Sequence, residues 1–148
     1  MTLEKPRITA KIAGRALHPL LRPFAIGYFL AVCACDLIYS QASVFARSGA
    51  PEFASITEWL LIAGLVTAGL AAIVALIDLL GERRFRGLPD ARMYAAGGAL
   101  VVALEIYNLS LRASAGADAI TPMGLILSLS AVAVLLATPS QNWARMYR

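Results

Sequence analysis

The stretch WLLIAGLVTAGLAAIVALI, residues 59–77, decides the fold. It is an uncharged run of 19 residues, and a helix of that length, at about 1.5 Å per residue, just crosses a hydrocarbon core of roughly 30 Å. The whole chain agrees, because 59% of its 148 residues are hydrophobic, 15% are charged and the mean hydropathy is +0.72. Soluble domains are typically about 45–50% apolar and about 25% charged. The sequence therefore predicts an integral membrane protein.

Other apolar stretches predict three further spans. The four expected spans cover about residues 23–43, 59–80, 93–112 and 120–138. Because the links between them are short, successive helices should be antiparallel. We therefore expect an all-α fold, a bundle of four transmembrane helices in up-down-up-down order, in one domain of residues 23–138. Residues 1–22 are expected to form a basic N-terminal segment and residues 139–148 a short tail.

The N-terminal segment carries five basic residues and one acid. Its pattern fits a short helix lying among the lipid headgroups and equally fits a frayed tail, and the sequence leaves both open. We expect His18 and Pro19 to end this segment, because a residue before proline avoids helical angles. Pro23 fits the first turn of the next helix, where its missing N–H has no partner to lose.

Lysine and arginine positions predict the orientation. The N-terminal segment and the loop 81–92 are basic, whereas the two opposite loops carry one arginine each. By the positive-inside rule we expect both termini to be cytoplasmic. The loop 81–92 is expected to contact lipid headgroups or a cytoplasmic partner through Arg83, Arg84, Arg86 and Arg92. The net charge is +4, and the basic residues flank the apolar runs instead of lining a polar face. We therefore expect no nucleic-acid partner.

Two acids interrupt the predicted spans, Asp36 in the first and Glu105 in the third. An acid inside a span costs about 2.5–3.5 kcal/mol on insertion scales, so each needs a partner or a purpose. Counting from the ends of antiparallel spans places both acids at similar depth. One interpretation is a proton or ion step or the capture of a cationic group. The other is that the acids are neutral or paired with Arg112 and Asn108 and set the helix register.

Small residues follow one face of the second span, at Gly64, Ala68, Ala71 and Ala75, and recur in the fourth span. The fourth-span residues are Gly124, Ser128 and Ala131. Such stripes allow close helix packing, with a pore lining as the alternative. Further along the second span, Asp78 is expected to form an interfacial ion pair near Arg83 and Arg84.

Catalytic and cofactor-binding patterns are scarce. His18 is the only histidine, which excludes a haem held by two histidines of this chain, and no zinc-ligand spacing occurs. Cys33 and Cys35 point about 200° apart on a helix and are expected to be packing residues. We find no catalytic triad, phosphate loop or dinucleotide fingerprint, so we expect neither an enzyme nor a metal site.

A family resemblance rests on two sequence runs and four polar residues. The runs are HPLLRPFAIG at residues 18–27 and AGLVTAGLAA at residues 63–72. Those four are Asp36, Asp78, Asn108 and Arg112. Over about residues 17–137 the chain resembles the bacterial membrane proteins catalogued as domain of unknown function 2231. The resemblance implies a four-span bundle with no settled activity, sometimes found beside redox proteins. It also implies that His18, Pro19, Pro23, Asp36 and Asp78 are the positions that match the family motif.

The chain departs from that family pattern at its end. TPSQNW at residues 138–143 replaces a glycine-rich segment and an Arg-His-Gly run. A cofactor role for a second histidine is therefore not expected here.

Three functions are compatible with these patterns. The leading hypothesis is a non-enzymatic accessory or anchoring subunit that binds a membrane-protein partner or a second copy of itself. The second is a proton or small-solute conduit that uses Asp36 and Glu105. The third is a redox subunit with a single-histidine haem or a quinone near His18, although no cofactor is predicted otherwise.

Overall fold

The computed structural model describes residues 11–12, 15–16, 18–46, 51–81 and 89–138, with side chains in 20–41, 52–77 and 93–138. A two-residue antiparallel ladder joins Lys11–Ile12 (β1) to Arg15–Ala16 (β2). The remaining described chain is helical as far as Ala137 and ends in a bend at Thr138. Its helices are α1 His18–Ala46, α2 Pro51–Gly81, α3 Pro89–Ala115 and α4 Leu125–Ala137. A 3-10 turn, Gly116–Ala119, and a π turn, Ile120–Gly124, connect α3 to α4.

Three helical segments of the described chain are long and apolar enough to cross a membrane. They are Leu20–Gln41, Glu52–Ile77 and Met93–Ala137. The prediction of a helical membrane protein is thus confirmed. The third segment contains α3, the connection and α4 together. With 13 residues, α4 alone is about 20 Å long, which is less than the roughly 30 Å of a hydrocarbon core.

The first helix begins earlier than predicted. α1 starts at His18, where the N-terminal segment was expected to end, so the predicted helix start at Pro23 is wrong and Pro23 lies inside the helix. The missing N–H of Pro23 removes only the bond to the carbonyl of Pro19, within the first turns, which limits its cost. Upstream, the β1–β2 ladder occupies positions where the sequence suggested either an interfacial helix or a frayed tail.

The second helix also begins earlier, at Pro51 instead of at about residue 59. Proline is well suited to the first helical position, and Glu52 in the first turn interacts favourably with the positive end of the helix dipole. The predicted third span lies within α3.

The predicted fourth span begins irregularly. Gly116 follows the end of α3 with a φ of 60°, a left-handed conformation that glycine adopts without steric cost. Thr121 has an extended backbone, with φ −122° and ψ 125°, because the ring of Pro122 disfavours helical angles in the residue before it. Regular α-helix therefore starts only at Leu125.

Side-chain contacts give the helix directions. The Arg22 guanidinium lies 4.5 Å from the ring centroid of Tyr94, which places the starts of α1 and α3 on the same side. Asn108 bonds to Ser128, and a Cβ on Gly97 would lie 2.5 Å from the Thr138 hydroxyl. From the first pair to the second, the α3 residue moves toward the N-terminus, from Asn108 to Gly97, while its partner moves toward the C-terminus, from Ser128 to Thr138. α4 therefore runs antiparallel to α3.

The centre of the helices is a small apolar core, formed by Phe29, Val32, Leu61, Val101 and Ala131. Gly64 allows α1 and α2 to approach closely beside it, because a Cβ on Gly64 would lie 2.8 Å from Phe29 Cε1 and 3.1 Å from Tyr28 Cβ. Large apolar side chains such as Leu136, 78% exposed, and Trp59, 73% exposed, cover the outside. An apolar exterior suits contact with lipid.

Candidate functional site

Six polar side chains are buried directly beside the apolar core. We call this set the polar cluster. Five of its members are 0% exposed and Arg112 is 5% exposed. The members are Asp36, Thr57, Glu105, Asn108, Arg112 and Ser128.

Helical spacing places the polar cluster on the faces that also carry the apolar core. On α3, Glu105, Asn108 and Arg112 follow Val101 at steps of four, three and four residues, which keeps all of them on one face. Thr57 precedes the core residue Leu61 of α2 by one turn. Asp36 and Ser128 are likewise one turn from core residues of α1 and α4. The two groups therefore form adjacent layers built from the same four helices.

Arg112 is the hub of the polar cluster. Its Nη2 donates to Asp36 Oδ2 at 2.6 Å and forms the ion pair between α3 and α1. Its Nη1 donates to Thr57 Oγ1 of α2 at 2.8 Å, and its Nε donates to Asn108 Oδ1 at 3.0 Å. The planar guanidinium can donate in several directions at once, which a lysine ammonium on a flexible stem does not reproduce. One side chain thus connects three helices.

Asn108 and Ser128 extend this network to the remaining carboxylate. Asn108 Nδ2 donates to Glu105 Oε2 and to Ser128 Oγ, both at 3.0 Å. Ser128 Oγ then donates to Asp36 Oδ2 at 2.7 Å. The Asp36 and Glu105 carboxyls are therefore linked through two bridging side chains.

The turn before α4 packs tightly on the polar cluster at Gly124. A Cβ on Gly124 would lie 2.8 Å from the carbonyl oxygen of Ala119, 3.2 Å from Asn108 Oδ1 and 3.4 Å from Arg112 Nη2. Any larger residue would have to displace backbone or the network itself. The glycine predicted as a packing residue thus lies against the polar side chains.

Two atoms of the polar cluster have no hydrogen-bond partner. They are Asp36 Oδ1 and Glu105 Oε1, which are buried. A buried polar atom without a partner is costly, and more so when it belongs to a charged group. The cluster also contains two carboxyl groups and one arginine, so the arginine can neutralise only one of them. This imbalance is its main chemical feature.

The structure brings together the four intramembrane residues singled out in the sequence, Asp36, Glu105, Asn108 and Arg112. Both acids lie in one cluster, and Asp36 pairs with Arg112. Thr57 is a member that the sequence does not single out, and Ser128, which was expected only as a small packing residue, is a polar member. Thr57 precedes Gly64 by seven residues, or two helical turns, so it lies on the same face of α2 as the small residues that begin at Gly64. This spacing is the sequence feature that could have identified Thr57.

Of the other predicted residues, those that the structure describes are not members of the polar cluster. His18 and Pro19 begin α1, Pro23 is exposed within it, and Asp78 lies in the last turn of α2. The described side chains do not include those of His18, Pro19, Asp78 and Arg92. The described residues do not include Arg83, Arg84 and Arg86. Cys33 is buried and Cys35 is half-buried, both as free thiols. Within the described segments, no group of three or more His, Cys, Asp or Glu could hold a metal ion.

Comparison with known proteins identifies a family and no individual relative. No curated protein and no solved structure matches the chain. The family described as predicted membrane protein (DUF2231) matches residues 14–141, a range that contains the apolar core and the whole polar cluster. The family resemblance seen in the sequence is thereby confirmed. The chain belongs to the DUF2231 family of predicted membrane proteins.

Proposed function

We propose that the protein is a non-enzymatic accessory or anchoring subunit of a membrane complex. One observation supports this proposal. The polar side chains of the cluster bond to each other across all four helices, while the exposed faces of the helices carry large apolar side chains. Such an arrangement stabilises one packing of the chain and leaves a surface suited to lipid or to the spans of another protein.

The proposed topology is four spans with both termini on the cytoplasmic side of a bacterial inner membrane. It is supported by the return of α4 along α3 and by the excess of lysine and arginine in the N-terminal segment and the loop 81–92. A C-terminal fusion to a fluorescent protein that matures only in the cytoplasm tests it. Fluorescent cells are expected, and dark cells with inserted protein would contradict the topology.

Three glycines offer places where a partner helix can approach. A Cβ added at Gly27, Gly69 or Gly98 would meet nothing within 4 Å, so each backbone is open on the outside of α1, α2 or α3. Membrane helices pack closely where small residues expose the backbone. A membrane-protein partner or a second copy of this chain is expected at one of these positions.

Native mass spectrometry of the protein, gently extracted from its own membrane, tests the subunit proposal. We expect an assembly heavier than the 15.7 kDa chain. Gly27→Leu, Gly69→Leu and Gly98→Leu serve as matched variants, since each has room in the isolated chain. The variant at the partner interface should lose the assembly without destabilising the isolated chain. A 15.7 kDa species alone, unaffected by all three substitutions, would refute the proposal.

The second candidate is a proton or small-solute conduit, favoured by the unpartnered oxygens of Asp36 and Glu105. Asp36→Asn separates the two candidates. A subunit carrying it should still assemble, although with lower stability because Arg112 loses its ion-pair partner, whereas a conduit should lose transport in proteoliposomes. Retained transport would remove the conduit.

The redox hypothesis at His18 stays a prediction, because that side chain lies outside the described set. A His18→Ala protein with the same absorption spectrum and the same quinone binding as the native protein would argue against it. The proposed contact of the basic loop 81–92 with lipid headgroups or a cytoplasmic partner likewise remains a prediction.

A further inference from the structure

The hydrogen bonds of the polar cluster distinguish its two acids. Asp36 Oδ2 accepts from the Arg112 guanidinium at 2.6 Å and from the Ser128 hydroxyl at 2.7 Å. Glu105 Oε2 accepts one bond, from the neutral amide of Asn108 at 3.0 Å. The guanidinium hydrogen-bonds to Asp36 and not to Glu105, so its charge is directly paired with Asp36. Among the described residues, Glu105 has no ion-pair partner of its own.

An ionised Glu105 would leave the polar cluster with a net negative charge in a region that excludes water. Buried charges are paired, bind a cation, or become neutral. Its Oε1 is buried and has no hydrogen-bond partner, so this oxygen is available for whatever neutralises the charge. The groups around this oxygen determine which cation it can bind.

The donor set fits a proton better than a metal ion. Calcium takes six to eight oxygen ligands and magnesium requires a near-ideal octahedron. The cluster has only two acceptor oxygens without a partner, Asp36 Oδ1 and Glu105 Oε1, and the described residues contain no metal-binding group of three or more ligands. A proton needs a single oxygen.

We propose that Glu105 is an intramembrane proton-binding site, which holds one exchangeable proton while Asp36 and Arg112 remain an ion pair. The proton comes from a hydronium ion of the solvent: one O–H bond of the hydronium breaks, an O–H bond forms on the Glu105 carboxylate, and a water molecule is left. Its release changes the cluster from neutral to singly negative. This inference goes beyond the accessory role and does not depend on it.

Few groups close to Glu105 can influence this exchange. α1 contributes the carboxylate of Asp36 and the thiol of Cys33, and α3 contributes Arg112. The polar-cluster residues of α2 and α4, Thr57 and Ser128, do not titrate. Proton uptake can therefore be assigned to Glu105 by removing that carboxyl alone.

The hydrogen bonds of the polar cluster extend from Glu105 toward the C-terminal end of α3. From Glu105 the polar cluster continues through Asn108 to Arg112, about 10 Å along the helix axis. Beyond Arg112, residues 113–118 are exposed. We therefore place the exchange with water on the side where α3 ends.

Infrared spectroscopy of the purified full-length protein at neutral pH tests the proposal directly. A protonated carboxyl gives a carbonyl band that an ionised carboxylate lacks. We expect this band in the native protein, a shift of the band after transfer to D₂O, and its loss in Glu105→Gln. The amide oxygen of the glutamine can still accept the bond from Asn108. Glu58→Gln, which removes an exposed acid of α2, is the matched control and should keep the band.

Three results of this experiment would overturn the proposal. They are absence of the band in the native protein, its persistence in Glu105→Gln, and a band that does not shift in D₂O. Should Glu105→Gln fail to fold, ¹³C-labelling of glutamate in the native protein replaces it. The band must then shift, and a band unaffected by the label would assign the proton to another residue type and refute the site. A band that disappears when sodium replaces choline would show that a metal cation occupies the site instead.

Discussion

The apolar core and the polar cluster are adjacent layers of the same four helices, yet different forces stabilise them. The core includes Phe29, Leu61 and Ala131, whose apolar side chains interact by van der Waals packing. The cluster, one turn away, is connected by hydrogen bonds that radiate from Arg112 to three helices.

The difference between the layers reflects the solvent around the protein. In lipid, burying an apolar side chain inside the protein gains little free energy, because the lipid tails are equally apolar. The core therefore depends on close packing, such as that of Gly64 against Phe29. Polar side chains have no water to return to, so each needs a partner within the protein. The core therefore tolerates small changes of shape, whereas the cluster requires particular partners. Four substitution series test this contrast.

The largest effect is expected for Arg112→Met. This change leaves the Asp36 carboxylate buried without its ion-pair partner and removes the bonds to Thr57 and Asn108. We expect a loss of about 3–5 kcal/mol in the free energy of unfolding, measured by denaturant titration in micelles. Arg112→Lys is the control and should lose less, because it keeps the positive charge. Equal stability of Arg112→Met and the native protein would show that the ion pair does not stabilise the fold.

In the core, Gly64→Ala should destabilise the contact between α1 and α2. The new Cβ would lie 2.8 Å from the Phe29 ring, and such overpacking costs about 1–3 kcal/mol. The same change at Gly69, where nothing lies within 4 Å, should stabilise α2 by up to about 1 kcal/mol, because alanine favours helix. Thermal unfolding of both variants measures the contrast. Equal effects at the two positions would mean that α1 and α2 do not pack closely at Gly64.

A smaller loss is expected for Ser128→Ala, since it breaks the bond to Asp36 and leaves one Asn108 donor without its acceptor. We expect the free energy of unfolding to fall by about 1–2 kcal/mol. Ser110→Ala is the matched control, because the exposed Ser110 hydroxyl bonds only to the Tyr107 carbonyl of its own helix. If both variants unfold at the same temperature, the bond between α4 and α1 has no energetic role.

The smallest effect is expected for Thr57→Val. The change keeps the shape of the side chain and removes the oxygen that accepts from Arg112 Nη1, for a loss of about 1 kcal/mol. Thr67→Val is its control on the same helix, since the Thr67 hydroxyl bonds only to the Ala63 carbonyl. Calorimetry should show a lower unfolding temperature for Thr57→Val alone, and a similar decrease in both would remove Thr57 from the polar cluster.

Much of the polar cluster could be predicted from α3 alone. Glu105, Asn108 and Arg112 share a face because their spacing follows the helical period, and this regularity is visible in one helix. Asp36 could be placed at the depth of Glu105 by counting residues from the ends of the spans. Whether Asp36 would pair with Arg112 or with Glu105 could not be predicted, because the answer depends on how α1 is rotated about its axis.

Helix ends were predicted less well than helix faces. α1 begins at His18 and α2 at Pro51, in both cases before the stretch that hydropathy marks as a span. Hydropathy reports which residues suit lipid, whereas a helix continues as long as its backbone bonds are satisfied. The irregular backbone at Thr121 does have a local cause in Pro122 and was nevertheless missed, because the apolar run continues through it.

The sequence by itself determined that the protein is helical, belongs in a membrane and carries acids within it, because composition and helical period are properties of a single stretch of chain. Only the tertiary structure decided that Arg112 pairs with Asp36, that Thr57 and Ser128 complete the polar cluster, and that one oxygen of each acid has no hydrogen-bond partner. Those features arise where four helices meet, and the partner of a buried charge depends on the relative rotation and depth of all of them.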